Sequence, residues 1–250
     1  MKKILYITFL AVSFYACDVV QQSDSQMKSN TTGKAGSLAR FAIQGNRLYI
    51  VDKTSLITMD ISNPSEPQQT HRTHIGFGIE TIFPYQDKLF IGATDAMYIY
   101  DFTNPDRPEL LSRYSHITAC DPVVAQGNYA YVTLRSGAGM CPRPIDELHI
   151  LDISNAKDPL LKKVIPMQNP HGLGISGNNL FVCEGNFGLK RFDISNPIEP
   201  QQIEFLQDIA SFDVIPKNQL LVVVGKKGLY QYDFSQTPMQ RLSFIPAKQN

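Results

Sequence analysis

The sequence predicts an all-β protein, a five-bladed β-propeller of four-stranded antiparallel blades, over residues 38–250. Three observations carry that prediction. One motif recurs five times at a nearly constant interval. Each interval holds four short strand-like runs, and no stretch beyond Cys17 has the apolar period of a helix. The motif ends in aspartate: LITMDISNPSEP, MYIYDFTNPDRP, LHILDISNAKDP, LKRFDISNPIEP and LYQYDFSQTPMQ. The anchoring residues are Asp60, Asp101, Asp152, Asp193 and Asp233, at intervals of 41, 51, 41 and 40 residues. A second motif precedes each, and its apolar positions Tyr49, Phe90, Tyr131, Phe181 and Leu221 keep the same rhythm.

Residues 1–16 lie before the repeats. Lys2 and Lys3 are followed by an uncharged, mostly apolar run of thirteen residues, Ile4 to Ala16, which ends at Cys17. At about 1.5 Å per residue a helix of that length falls short of a hydrocarbon core of about 30 Å, so the run reads as an export signal. Ala16-Cys17 resembles a bacterial lipoprotein cleavage site, which implies lipidation of Cys17. The alternative is an ordinary secretory peptide with Cys17 a spare thiol. Residues 17–37 are Ser-, Gln-, Asn- and Thr-rich with few apolar side chains, as expected of a flexible tether. About twenty such residues span roughly 25 Å.

The repeats then divide near 38–78, 79–118, 119–169, 170–210 and 211–250. In the third, VVAQG, YAYVTL, LHILDI and LLKKVIPM read as successive strands from their β-branched and aromatic content. Gly127-Asn128 and Gly177-Asn178 suit tight turns between first and second strands. The Asn-Pro pairs at Asn63, Asn104 and Asn196 start the turn into the fourth strand. The recurring aspartates are expected to accept the backbone N–H groups of that turn. They are spread around a ring, whereas calcium needs about six to eight oxygens converging on one point. A four-stranded unit of this length, repeated, predicts blades that bury both faces against neighbours, with the edge blades covered once the ring closes.

Composition narrows the partners. The chain has 23 Lys+Arg against 23 Asp+Glu and 43% hydrophobic residues, so it carries no basic excess for nucleic acid and is not a disordered chain. Removing Lys2 and Lys3 with the signal leaves 21 basic against 23 acidic residues.

The pattern V-x-x-x-G-N-x-A-Y-V…L-x-I-x-D-I-S-N-P-x-x-P resembles the LVIVD repeat, over roughly residues 38–250. It is weakest in the fifth unit, where Ser235-Gln236-Thr237-Pro238 replaces the Ser-Asn-Pro turn. The resemblance implies a propeller of a bacterial, Bacteroidetes-like exported lipoprotein in the cell envelope, on the outer membrane facing the periplasm or the surface. It implies no defined activity.

Function is sought where the units differ. From Tyr131 to Asp152 is 21 residues against 11 or 12 in the other units, and the extra segment includes RSGAGMCPRPIDE. In a propeller this second-to-third strand loop shares a face with the loops that lead into each blade and open on the central channel. Topology gathers there His116, Cys120 and Asp121, then Arg135 and Cys141, then His171, Cys183 and Glu184, with Glu80 and Asp213 from the neighbouring blades. The candidate ligand-binding residues are therefore Cys120, Asp121, Arg135, His171, Cys183, Glu184 and Asp213.

An oxidising compartment favours a disulfide, and Cys120–Cys141 would pin the long loop to its own blade, leaving Cys183 as a buried hydrophobe or a free thiol. Unpaired cysteines, or a metal held by cysteines and His171, are the alternatives. No close C-x-x-C or H-x-x-x-H spacing supports a metal, and none is assigned. No G-x-S-x-G, P-loop or H-E-x-x-H occurs, so no catalytic residue is assigned. Arg135 is expected either to hold an anionic ligand or to pair with Asp121 or Glu184. The reading is a monomeric, membrane-anchored binding module without cofactor, for an envelope protein or a small polar ligand. Its alternative is an enzyme or metal-binding protein using the Cys/His cluster.

Overall fold

The computed structural model describes residues 36–115, 122–135 and 146–248. Their regular elements are twenty strands in five separate four-stranded antiparallel sheets, each built from four consecutive strands. Blade 1 is β1 (Phe41–Gln44), β2 (Arg47–Val51), β3 (Ser55–Asp60) and β4 (Gln68–His74). Blade 2 is β5 (Ile79–Tyr85), β6 (Lys88–Ala93), β7 (Ala96–Asp101) and β8 (Glu109–Ser115). Blade 3 is β9 (Val123–Gln126), β10 (Tyr129–Leu134), β11 (Glu147–Asp152) and β12 (Leu160–Pro166). Blade 4 is β13 (Leu173–Ser176), β14 (Asn179–Cys183), β15 (Leu189–Asp193) and β16 (Gln201–Leu206). Blade 5 is β17 (Ser211–Lys217), β18 (Leu220–Gly225), β19 (Gly228–Asp233) and β20 (Gln240–Pro246). The five-bladed prediction and the four strands expected in the third unit are both observed.

Local chemistry repeats with the strands. Each anchoring aspartate accepts the backbone N–H two residues on, at 2.7 Å for Ser62 and Thr103, 3.0 Å for Ser154, and 2.8 Å for Ser195 and Ser235. In the first four blades the hydroxyl of the same Ser or Thr, and next the backbone N–H, hold the carboxyl below the usual range; at Asp233 the backbone N–H of Ser235 leads and its hydroxyl follows. In every blade the pairing of third and fourth strands slips by one residue just before that aspartate. Such a bulge sharpens the local twist that a blade requires. The hairpin between first and second strands always holds one residue at left-handed φ. It is Gly45, Gly127 or Gly177 in three blades, but Gln86 and Asn218 in blades 2 and 5.

Strand alternation sends successive side chains to opposite faces, and four apolar clusters result, one between each consecutive pair of blades. Phe181 thus packs toward blade 5 and Leu180 toward blade 3. Hydrogen bonds tie the same interfaces. Tyr49 donates to the carbonyl of Pro105 at 2.9 Å, and Arg47 grips both oxygens of Asp106 at 2.7 and 3.1 Å.

Blade 5 and blade 1 differ from the rest. No apolar cluster joins them among the described residues, so the closing interface expected from ring geometry is not packed like the other four. On the free face of blade 1, Leu48, Ile50, Ile57 and Met59 are only half-buried. On that of blade 5, Val222 and Val224 are half-buried while Leu229 and Ile245 are exposed. The five inner strands still surround a central cavity of about 400 Å³, lined by side chains such as Ala42, Ile82, Val124, Ile175 and Pro216.

Candidate binding face at the channel mouth

Gly36 and Ser37, placed by sequence at the end of the tether, are buried in the propeller. They line the central cavity and are held by Asp213 of β17. The Asp213 carboxylate accepts the backbone N–H groups of Ser37, Leu38 and Val214 and the Ser37 hydroxyl at 3.4 Å. Ser37 Oγ in turn accepts the N–H of Leu173 at 2.8 Å. Only glycine permits this approach: a Cβ on Gly36 would lie 2.1 Å from Asp213 Oδ2, and one on Gly172 would lie 2.2 Å from Oδ1. Burial outweighs those hydrogen bonds and pushes the Asp213 carboxyl up to about 6. Asp213, a candidate ligand-binding residue from the sequence, is thus engaged by residues 37 and 38 of the chain itself.

His171 is fixed through its backbone. Its N–H donates to Cys183 at 2.7 Å and its carbonyl accepts the Thr133 hydroxyl at 2.8 Å. The ring meets Phe212 edge-on, with centroids 5.1 Å apart, and packs beside Asn169 on Gly185, where a Cβ would lie 2.9 Å from Nε2. Burial, reinforced by the Arg135 guanidinium against the opposing pull of Asp146, lowers the imidazole to about 4. The ring is thus neutral at physiological pH, able to donate from one nitrogen and accept at the other.

Arg135 follows β10 directly. It acts electrostatically on both His171 and Glu80, and its Nε is buried without a hydrogen-bond partner among the described residues. Burial raises the Glu80 carboxyl while Arg135 and Arg40 pull it back. The structure thus groups Arg135, His171 and Glu80 at one mouth, with Asp213 beside them across Gly172. The pairing of Arg135 with Glu184 considered from sequence is not made, because Glu184 is engaged elsewhere.

Glu184 is 0% exposed; it accepts the N–H of Gln168 at 3.1 Å, and Lys190 Nζ lies 3.2 Å from its other oxygen. Cys183 was expected at the start of the following loop, but β14 extends through it. Alternation with Phe181 then turns its side chain into the blade 4–blade 5 cluster, 0% exposed, where burial pushes the thiol far up. A thiol held protonated in an apolar cluster is neither a nucleophile nor a metal ligand. His116, Cys120, Asp121 and Cys141, and with them the proposed disulfide, lie outside the described residues. Among the described residues no group of three or more His, Cys, Asp and Glu side chains is placed to hold a metal.

Sequence reasoning missed Ser37 and Asp146. Asp146 closes the long insertion and so lay within reach of the loop argument. Nothing in a Ser/Thr/Gly-rich segment marks Ser37 as buried.

The fold defines a repeat β-propeller. The LVIVD repeat matches residues 33–72, 118–139, 144–165 and 171–205, and this chain is an LVIVD-repeat protein. Blades 2 and 5 fall largely outside the matched segments yet share the same strand order, bulge and left-handed hairpin residue. No curated protein matches the sequence. Among solved structures, the chain is similar to a periplasmic gluconolactonase from Pseudomonas aeruginosa, with 12% identity and a TM-score of 0.59, covering 81% of this chain and 68% of that one. It is also similar to a putative 6-phosphogluconolactonase from Bacteroides fragilis, with 8% identity and a TM-score of 0.62 over 81% and 68%. A third is apo AztD from Citrobacter koseri, with 12% identity and a TM-score of 0.59 over 80% and 60%. At these identities the likeness concerns the fold alone. The chain spans about two thirds or less of the length of these structures.

Proposed function

We propose that the protein is an exported, lipid-anchored binding module. In this reading Cys17 carries the lipid, residues up to Ala35 form the tether, and the channel mouth beside the blade 3 insertion receives an envelope protein or a small polar ligand. One observation supports the face above all others. Arg135, which acts electrostatically on a neutral imidazole and on the Glu80 carboxyl, has a buried Nε without a hydrogen-bond partner among the described residues, at the base of the longest loop in the repeat array. A guanidinium so placed suits an anionic or carbonyl-rich group, which it can meet with paired N–H donors.

The test is cross-linking capture from the envelope fraction with the wild-type chain, Arg135→Gln, and Gln126→Ala. The last serves as a control at the opposite end of the channel, where Gln126 donates to Gly177. A ligand kept by the wild type and by Gln126→Ala but reduced at least tenfold by Arg135→Gln supports the face. Equal recovery by all three sinks it. Separately, Cys17→Ser is expected to release the chain from the membrane fraction, and persistent partitioning would remove the anchor.

A further inference from the structure

The free face of blade 5 carries a second concave site, remote in chemistry from the channel mouth. Val224, Leu229 and Ile245 form one cross-strand row over β18, β19 and β20, since Val224 pairs with Leu229 and Leu229 with Ile245. Alternation turns this row away from Tyr230 and Tyr232, which pack toward blade 4. With Gly225, Gly228 and Pro246 the row lines a groove of about 280 Å³. Leu229 is 40% and Ile245 57% exposed, so the floor is apolar and open.

Lysines frame it. Lys226 and Lys227 form the exposed turn between β18 and β19 at its head, and exposed Lys248 follows the lining residue Ala247. The turn is pinned to the end of β20, where Ala247 N–H donates to the Lys227 carbonyl at 2.8 Å. None of the three lysines has an ion-pair partner among the described residues. The charge is local: residues 211–248 hold five basic side chains (Lys217, Lys226, Lys227, Arg241 and Lys248) against Asp213 and Asp233, in a chain that is neutral overall. Both of those aspartates are already engaged, Asp213 by residues 37 and 38 and Asp233 by Ser235.

We infer that this lysine-rimmed apolar groove on the free face of blade 5 docks onto an anionic lipid surface. The aliphatic row would enter the acyl boundary while the amines remain among acidic headgroups, the arrangement that long lysine stems allow. Charge complementarity decides for lipid over neutral partners. The fold adds a positional reason: the N-terminal segment enters the propeller at Asp213, on β17 of this same blade. The inference does not depend on lipidation of Cys17, and its test removes that variable.

The experiment uses the chain from residue 17 onward with Cys17→Ser. It is sedimented with phosphatidylcholine vesicles and with vesicles in which a third of the lipid is phosphatidylglycerol. Binding to the anionic vesicles only, weakening steeply as salt is raised, is expected. Lys226→Glu/Lys227→Glu should lower the partition coefficient by more than tenfold, because two cationic contacts are replaced by two anionic ones. Ile245→Ser should lower it several-fold with an unchanged melting temperature. No binding, equal binding to both vesicle types, or retention by the double lysine variant overturns the proposal. Loss with the lysines but not with Ile245→Ser overturns the groove and leaves simple charge attraction. A protein retained by this face in the absence of vesicle binding likewise overturns the lipid assignment.

Discussion

Asp213 and His171 titrate over the same pH range with opposite consequences for folding. The folded Asp213 carboxyl, at about 6 against an ordinary 3.8, binds its proton more tightly than the unfolded chain does. Its contribution therefore favours folding at low pH and is lost as pH rises from about 4 through 6, a cost of about 2 kcal/mol after allowing for partial exposure. His171, lowered to about 4 from 6.5, resists protonation when folded. Its contribution is present above 6.5 and lost as pH falls toward 4. The pair should nearly cancel in the wild type. Melting temperatures relative to wild type should then rise with pH between 4 and 6.5 in Asp213→Asn, where His171 acts alone. They should fall over the same range in His171→Asn. Parallel profiles for the two variants would refute the assignment. A simpler test concerns Tyr49, whose hydroxyl reaches Pro105 of the next blade. Tyr49→Phe should cost about 1 kcal/mol by denaturant titration, because the ring stays packed and only the bond is lost.

At the scale of the elements, the hairpins between first and second strands offer a stabilising change. Gln86 and Asn218 adopt φ of 53° and 57°, where three sister blades use glycine. Gln86→Gly should raise stability by about 1 kcal/mol, and Asn218→Gly by less, because asparagine tolerates the left-handed region better. Unequal chemical-denaturation midpoints in that order would support the reading; destabilisation by Gln86→Gly would contradict it. The blade 4–blade 5 interface is more demanding. Arg191 is buried and donates to the carbonyls of Phe234 and Gln236 at 2.9 and 2.8 Å, with Glu204 at 3.5 Å. Arg191→Ala strands two acceptors and a carboxylate together, and should cost about 3–5 kcal/mol.

For the whole molecule, the consequence of one weak junction is uneven stability. In a repeat array each unit is held by its neighbours, so a blade packed on one face opens more readily than one packed on two. Amide hydrogen exchange should be fastest in blades 1 and 5 and slowest in blades 2, 3 and 4. Uniform protection across the five would mean that the blade 5–blade 1 faces are covered in solution. This junction could not be read from the repeat. Val224, Leu229 and Ile245 are as apolar as their counterparts in the central blades, and nothing in their alternation marks one sheet face as unmatched. The place of Cys183 is decided in a related way: one additional residue of β14 sets whether its side chain faces the loop or the core, and the buried-hydrophobe alternative is the one observed.

The sequence by itself determined the blade. Five recurring aspartates, the turns behind them and the alternating apolar runs specify a four-stranded unit through local bonding and strand period alone, and these contacts lie within a few dozen residues of one another. Tertiary structure decided how the blades meet. Ser37 reaches Asp213 across 176 residues, Arg135 comes within electrostatic reach of both His171 and Glu80, and one pair of sheet faces has no shared apolar cluster among the described residues. Such contacts depend on burial and on the angle between sheets, and neither is a property of any single repeat.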